Sequence, residues 1–129
     1  MTLPPSARVM SFLGTGDREK AKAFYRDVVG LALAGEDPFA TVFETDGRML
    51  RISELKDFTP RRFTAVGWAV PDIASAVKAL KEKGAQFQVY DGIGQDALGI
   101  WTSPDKSALV AWFTDPDGNI LSLTQYQNA

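Results

Sequence analysis

The feature that most constrains the fold is an internal repeat, in which one helical pattern occurs twice. Asp17 and Asp72 each precede apolar residues at helical spacing, and these two aspartates lie 55 residues apart. Gly30 and Gly84 follow the two patterns and lie 54 residues apart. Aspartate is a preferred N-cap and glycine a preferred C-terminal stop of helices. The spacing therefore predicts two helices in equivalent positions of two similar halves.

Strand-like segments surround both helical patterns, which are predicted near 18–29 and 72–83. One such segment precedes each helix and about three follow it, so each half has the order βαβββ. The strands are predicted at 8–13, 31–35, 39–45, 48–53, 64–70, 85–90, 99–102, 108–114 and 120–125. Neither half could cover its sheet alone. We therefore expect an α+β protein with a single domain over 1–129, in which module one spans about 8–55, a linker 56–62 and module two about 63–125.

The last two predicted strands are joined by a turn with strong sequence signals. Pro116 suits the second position of a type I turn, and Asp115 can accept a hydrogen bond from the backbone two residues later. Gly118 can adopt a positive φ, and Asn119 tolerates unusual backbone angles. The apolar flanks of this turn therefore predict a hairpin with a four- or five-residue loop.

Three segments resemble the vicinal oxygen chelate (VOC) superfamily, which includes glyoxalase I, bleomycin and fosfomycin resistance proteins, and extradiol dioxygenases. Phe113–Asn119 resembles its last hairpin, Ala23–Leu31 its first helix, and Val66–Asp72 its fifth strand with the following helix cap. The resemblance covers roughly 8–125. It implies two βαβββ modules whose concave faces form a cleft for a small ligand.

The resemblance also implies where metal ligands would lie in metal-dependent members. Those positions match Met10, Arg51, Ala65 and Ser122, whereas the superfamily usually has histidine and glutamate there. Methionine is soft, arginine is cationic, alanine has no donor atom and serine is a weak ligand. The chain also contains no histidine and no cysteine. We therefore expect no metal and no cofactor.

Strand alternation extends these positions to a set of cleft candidates. The predicted ligand-binding residues are Met10, Phe12, Met49, Arg51, Ala65, Trp101 and Ser122. Arg51 has two interpretations, which are contact with an anionic or carbonyl group of a ligand and a structural ion pair with a nearby carboxylate. Trp101 and Trp112 could stack on a planar ligand or belong to a core or dimer interface, and their faces stay open.

Three functions are compatible with this pattern. The first is a metal-independent small-molecule-binding protein, similar to bleomycin resistance proteins, that sequesters a drug or metabolite. The alternative is a VOC-type lyase, isomerase or dioxygenase-like enzyme that has lost or replaced its metal, with Tyr90, Asp91 or Asp96 as acid or base. The third is an interaction module without a ligand. No catalytic residue is assigned.

Charge and hydropathy limit the partners. Fourteen basic and sixteen acidic residues give a net charge of −2 without a basic block, which argues against nucleic acid. No apolar run reaches the ~18 residues of a membrane span, and the first residues lack signal-peptide features, so we expect a cytoplasmic protein. The resemblance implies a homodimer. The glycines of 92–99 predict a loop rather than a phosphate site.

Overall fold

The structure, a computed structural model, describes residues 2–127. The chain divides into two compact units, Met1–Phe58 and Thr59–Ala129, here called the first and the second unit. Their boundary lies inside the predicted linker, 56–62. Each unit contains a sheet with a helix on one face. The assignment of 1–129 to a single domain stays a prediction.

The first unit is built on a four-stranded sheet. Its elements are β1 (Ser11–Thr15), α1 (Arg18–Ala23) with a π-helical continuation (Phe24–Val29), β2 (Ala32–Glu36), β3 (Ala40–Thr45) and β4 (Arg48–Glu54). The strand order is β1-β4-β3-β2, in which β1 and β4 are parallel and the other neighbours antiparallel. Helix α1 carries the chain from one sheet edge to the other, so the last strand returns beside the first.

The first helix begins and ends as predicted. The Asp17 carboxylate accepts a hydrogen bond from the Lys20 backbone N–H at 3.2 Å. At the other end, the N–H groups of Gly30 and Leu31 donate to the Tyr25 carbonyl oxygen at 3.1 and 2.9 Å. Gly30 has φ +86°, the left-handed conformation that glycine favours at a helix end. The Tyr25 side chain is fully buried, which anchors this end of the helix in the core.

The prediction for the first strand was shifted. We expected a strand at 8–13 that Gly14 would interrupt, but β1 runs through Gly14 to Thr15. A Cβ on Gly14 would overlap the aromatic ring of Phe58, so glycine is required here for close packing rather than for a turn. The Thr15 carbonyl also accepts the Leu55 N–H at 2.9 Å, which extends the parallel pairing beyond β4.

The second unit repeats this plan with one additional short strand. Its elements are β5 (Thr64–Ala69), α2 (Ile73–Glu82), β6 (Gln86–Phe87), β7 (Trp101–Thr102), β8 (Ala108–Thr114) and β9 (Ile120–Tyr126). The strand order is β5-β9-β8-β6, and β7 pairs with β8. Strands β5 and β9 are parallel, as β1 and β4 are in the first unit. The predicted pair of βαβββ modules is therefore confirmed.

The second helix has the same cap chemistry as the first. The Asp72 carboxylate accepts hydrogen bonds from the Ser75 backbone N–H at 3.2 Å and hydroxyl at 2.9 Å. Ile73, Val77 and Leu80 form its buried stripe. The described chain contains no helix of the length and apolarity that crossing a membrane would require.

The middle of the second unit has less strand than predicted. The strands expected at 85–90 and 99–102 are reduced to two residues each. The chain between them is held by side chains instead. The Gln95 amide donates to the carbonyls of Gln88 and Gly99 at 3.0 and 2.7 Å, and its oxygen accepts the Tyr90 N–H at 2.7 Å. These bonds replace a strand ladder and close the loop.

The final hairpin has the predicted turn, with a different role for Asn119. The Gly118 N–H donates to the Asp115 carbonyl at 3.0 Å, and Gly118 has φ +92°. The Asp115 carboxylate accepts the N–H groups of Asp117 and Asn119 and the Asn119 side-chain amide. Asn119 has no positive φ, so its side-chain amide, rather than tolerance of unusual backbone angles, explains asparagine at this position.

The predicted tail, 126–129, begins inside β9, and its last two residues lie outside the described chain.

Candidate functional site

Each sheet has one face covered by its helix and one face without a helix, here called the helix-free face. In the first unit, Leu13 and Ile52 are buried towards α1, whereas Phe12 and Arg51 lie side by side on the helix-free face. In the second unit, Leu121 and Leu123 lie on the covered face and are buried. In β1, β4 and β9, successive side chains therefore lie on opposite faces of the sheet.

The apolar candidates of the first unit are exposed. Phe12 is 61% exposed, and Met10 and Met49 are each 46% exposed. Met10 precedes β1, while Met49 lies opposite Glu44 on the helix-free face. Three large apolar side chains of this unit are thus exposed.

Arg51 is already paired with a carboxylate. Its guanidinium lies 2.9 Å from the Asp37 carboxylate, and the two side chains are 27% and 40% exposed. The other Asp37 oxygen accepts the N–H groups of Phe39 and Ala40 at 2.8 and 2.9 Å. The hydrogen bond from Phe39, followed by the pairing with Arg51, holds the pKa of Asp37 below its ordinary value. Of the two interpretations of Arg51, the structural ion pair is the one observed.

Of the predicted residues in the second unit, Ser122 is buried whereas Ala65 is exposed. Ser122 pairs with Gly67 across β9 and β5, and it is only 8% exposed. A Cβ on Gly67 would overlap the Ser122 hydroxyl, so the glycine makes room for it. Ala65 is the extra residue of a β-bulge between Thr64 and Val66. The bulge places Thr64, rather than Ala65, opposite Ile120.

An aromatic cluster occupies the helix-free face of the second unit. Trp112 is opposite Ser122, and Trp101 is opposite Val110, so both tryptophans lie on this face. The rings of Tyr90 and Trp112 meet edge to face with centroids 5.6 Å apart, and those of Trp101 and Trp112 are 6.2 Å apart. Such contacts fix ring orientation and add to the energy of burial. The open question of which face Trp101 and Trp112 occupy is thereby answered.

A groove adjoins this cluster, with a volume of about 520 Å³. Its lining residues are Arg62, Phe63, Thr64, Tyr90, Trp112 and Ile120, and we call it the aromatic groove. Three of its side chains are aromatic and one is cationic. Its size lies within the range of small-molecule sites, and its apolar walls with few polar groups are typical of them.

Three contacts position the walls of the aromatic groove. The Gln88 N–H donates to the Trp112 carbonyl at 2.8 Å, which fixes the start of the loop that carries Tyr90. The Tyr90 N–H donates to Gln95. On the other side, Pro60 packs against Gly118, where a Cβ would lie 3.3 Å from the proline Cγ. The segment that ends in Phe63 is therefore seated on the hairpin turn.

The sequence as a whole matches one family model over nearly its full length. The Glyoxalase/Bleomycin resistance protein/Dioxygenase superfamily matches residues 7–123. The chain belongs to this superfamily. Among curated proteins, no sequence matches it.

Several solved structures are similar to this chain in fold. A glyoxalase/bleomycin resistance protein/dioxygenase from Nocardioides has a TM-score of 0.71 at 19% identity, covering 99% of this chain and 88% of its own. A lactoylglutathione lyase from Agrobacterium tumefaciens has a TM-score of 0.71 at 20% identity, covering 95% of each chain. An integron cassette protein from the Halifax Harbour sewage outfall has a TM-score of 0.69 at 20% identity, covering 93% and 98%. These identities support the shared fold alone.

The residues at the superfamily's metal positions do not fit a divalent cation. Arg51 brings a positive charge that Asp37 already pairs, and Ala65 offers no donor atom. Ser122 is a weak ligand, and Met10 a soft one. The residues that the structure describes contain no cluster of three or more histidine, cysteine, aspartate or glutamate side chains suited to metal.

Sequence reasoning considered only part of the aromatic groove. None of the seven predicted ligand-binding residues lines it, and those seven stay predictions. Trp112 and Tyr90 were considered, but Arg62 was assigned to a linker. The signal that could have found it is the alternation of a cation and an aromatic, Arg62-Phe63, immediately before a strand. Strand alternation from Ser122 does assign Ile120 to the cleft face. Thr64 could not be found, because the bulge reverses the alternation at the start of β5.

Proposed function

We propose that this protein is a metal-independent binder of small organic molecules, and that the aromatic groove is its binding site. The observation that carries the proposal is the Tyr90–Trp112 pair, which walls a groove of about 520 Å³. A flat apolar ligand could displace water from these rings and gain burial energy without ordering new protein structure.

The chemistry of the lining favours binding over catalysis. The groove residues include a guanidinium, a threonine hydroxyl and a phenol, but no carboxylate and no imidazole among the described lining residues. Carboxylates and histidines are the commonest general bases. The residues at the superfamily's metal-ligand positions are also unsuited to binding a metal ion. The enzyme alternative therefore has no observed acid–base pair in this groove.

The test is calorimetric titration with naphthalene carboxamide, a flat neutral probe, before and after dialysis against EDTA. We expect binding that EDTA leaves unchanged within about twofold, because no step depends on a cation. Trp112→Leu should weaken binding about tenfold or more, since aromatic contacts dominate such sites. Phe12→Leu is the matched control, because Phe12 lies on the helix-free face of the first unit and should be neutral.

Two results would contradict the proposal. Loss of probe binding after EDTA treatment would point to a metal-dependent site. Equal losses in Trp112→Leu and Phe12→Leu would place the ligand elsewhere. Thermal melts of both variants distinguish lost binding from lost folding.

We also propose that the protein forms a homodimer in the cytoplasm. Superfamily members commonly dimerise, and this habit of the family supports the proposal. Light scattering that gives only the monomer mass at micromolar concentration would contradict the dimer. Cell fractionation tests the location.

A further inference from the structure

We propose that Arg62 makes the aromatic groove selective for aromatic acids, in which a flat ring carries a carboxylate. This inference rests on the proposed function and adds the class of ligand. It predicts that the guanidinium meets the carboxylate while the ring lies against Tyr90 and Trp112. The three observations that support it are the availability of Arg62, the charge of the groove and the anchoring of the segment.

The first observation is that Arg62 has an uncommitted charge. Four other arginines have ion pairs, which are Arg18 with Glu36, Arg26 with Asp27, Arg48 with Asp46 and Arg51 with Asp37. Arg8 donates to the Gly47 carbonyl. Over residues 2–127, neither Arg61 nor Arg62 has an ion pair or side-chain hydrogen bond, and only Arg62 lines the groove. Its planar guanidinium can therefore receive a carboxylate in the two-point geometry that arginine favours.

The second observation is the positive charge of the aromatic groove. Arg62 is the charged residue among the lining residues, and no acidic side chain stands beside it there. Phe63, Tyr90 and Trp112 line the groove together with Arg62, so an apolar body can lie against the rings while its charged end meets the guanidinium. A cationic ligand would meet repulsion, and a neutral ligand would leave the guanidinium in water. An anion with an apolar body satisfies both parts of the site.

The third observation is that the segment is anchored at both ends. Pro60 packs against Gly118 two residues before Arg62, and β5 begins at Thr64 two residues after it. The backbone of Arg62 therefore lies between a packing contact and a strand, and its side chain is exposed. A pre-positioned cation loses less entropy on binding than one on a free loop.

The experiment compares three probes of one shape and different charge by calorimetric titration of the full chain. They are naphthalene carboxylate, the neutral naphthalene carboxamide and the cationic naphthylmethylammonium. We expect wild-type protein to bind the carboxylate about tenfold tighter than the carboxamide, and the cation most weakly. Arg62→Gln should remove the tenfold preference, because it should weaken carboxylate binding about tenfold more than carboxamide binding. Arg61→Gln, the neighbouring cation outside the groove, should keep it.

Other results would refute either the inference alone or the proposed function as well. Equal wild-type affinities for carboxylate and carboxamide would refute the inference while the proposed function stands. Binding of none of the three probes would refute both. An equal loss in Arg61→Gln and Arg62→Gln would mean a general electrostatic field rather than a contact, and would also refute the inference. Arg62→Lys should retain only part of the preference for the carboxylate over the carboxamide, because lysine keeps the charge but lacks the planar guanidinium.

Discussion

The two units have the same strand order and helix caps, but they differ in the chemistry of their helix-free faces. In the first unit the cation of that face, Arg51, is paired with Asp37, and Phe12 lies exposed beside it. In the second unit, Tyr90 and Trp112 are in contact beside the unpaired Arg62. Caps and covered faces serve packing, so they are alike in both units. The helix-free faces do not pack against a helix, so their side chains can differ between the two units.

The largest expected effect distinguishes the last turns of the two units. Asp115 is 6% exposed and its carboxylate accepts hydrogen bonds from Asp117 and Asn119, whereas Asp46 is exposed in the two-residue turn between β3 and β4. Asp115→Ala should lower the free energy of unfolding by about 3 kcal/mol, because it leaves buried donors unpaired. Asp46→Ala should lower it by only about 1 kcal/mol, which is the cost of placing alanine at a positive φ. Urea unfolding measures both, and equal values would contradict the difference.

An intermediate effect is expected at the two strand glycines that make room for a side chain. Alanine at Gly14 would overlap the Phe58 ring and approach Leu55, so two side chains must move. Alanine at Gly67 would overlap the Ser122 hydroxyl, which a single rotation can relieve. We expect a loss of about 2 kcal/mol for Gly14→Ala and about 1 kcal/mol for Gly67→Ala. The reverse order in urea unfolding would show that the first unit adapts more readily.

The smallest effect is expected at Arg51. Arg51→Gln should lower the melting temperature by about 3 °C or less at neutral pH, since partly exposed ion pairs contribute little. Its matched control is Arg48→Gln, whose pair with Asp46 is more exposed. Binding of naphthalene carboxylate should be unchanged in Arg51→Gln. A tenfold loss there would instead support the anion site that the sequence suggested.

The Arg51 contribution should also depend on pH. Because the pKa of Asp37 is lowered in the folded protein, its pairing stabilises the fold above the ordinary value of 3.8. That stability is lost as the pH falls through the lowered folded-state value. The difference in melting temperature between wild type and Arg51→Gln should therefore disappear in acid. A difference that persists at low pH would mean that packing, not charge, is responsible.

The fold could be predicted from the sequence because its signals are local. Asp17, Asp72 and the turn at 115–119 act within a few residues of themselves, and the structure has a helix or hairpin at each. Strand alternation also assigned Phe12 and Leu13 to opposite faces correctly. Caps and turns depend on residues close together in the chain, and face assignment depends on periodicity. Both can be read from a single sequence.

The candidate site could be predicted only in part, because its geometry depends on partners far along the chain. The carboxylate that pairs with Arg51 comes from a turn at Asp37, which no spacing rule connects with it. The bulge at Ala65 shifts the start of β5 by one residue. Arg62 was assigned to a linker because nothing in its sequence shows that Pro60 packs on Gly118.

The loop that carries Tyr90 is closed at its base, and this leaves its tip free to change length. Gln95 bridges the carbonyls of Gln88 and Gly99, while Gly92 and Gly94 have open space around them. Residues added at the tip would lengthen a segment already closed by the glutamine, and loop entropy rises by only ~0.6 kcal/mol per doubling of length. Insertions at the tip of this loop should therefore change the wall of the aromatic groove that Tyr90 forms, while the strands of the sheet keep their sequence.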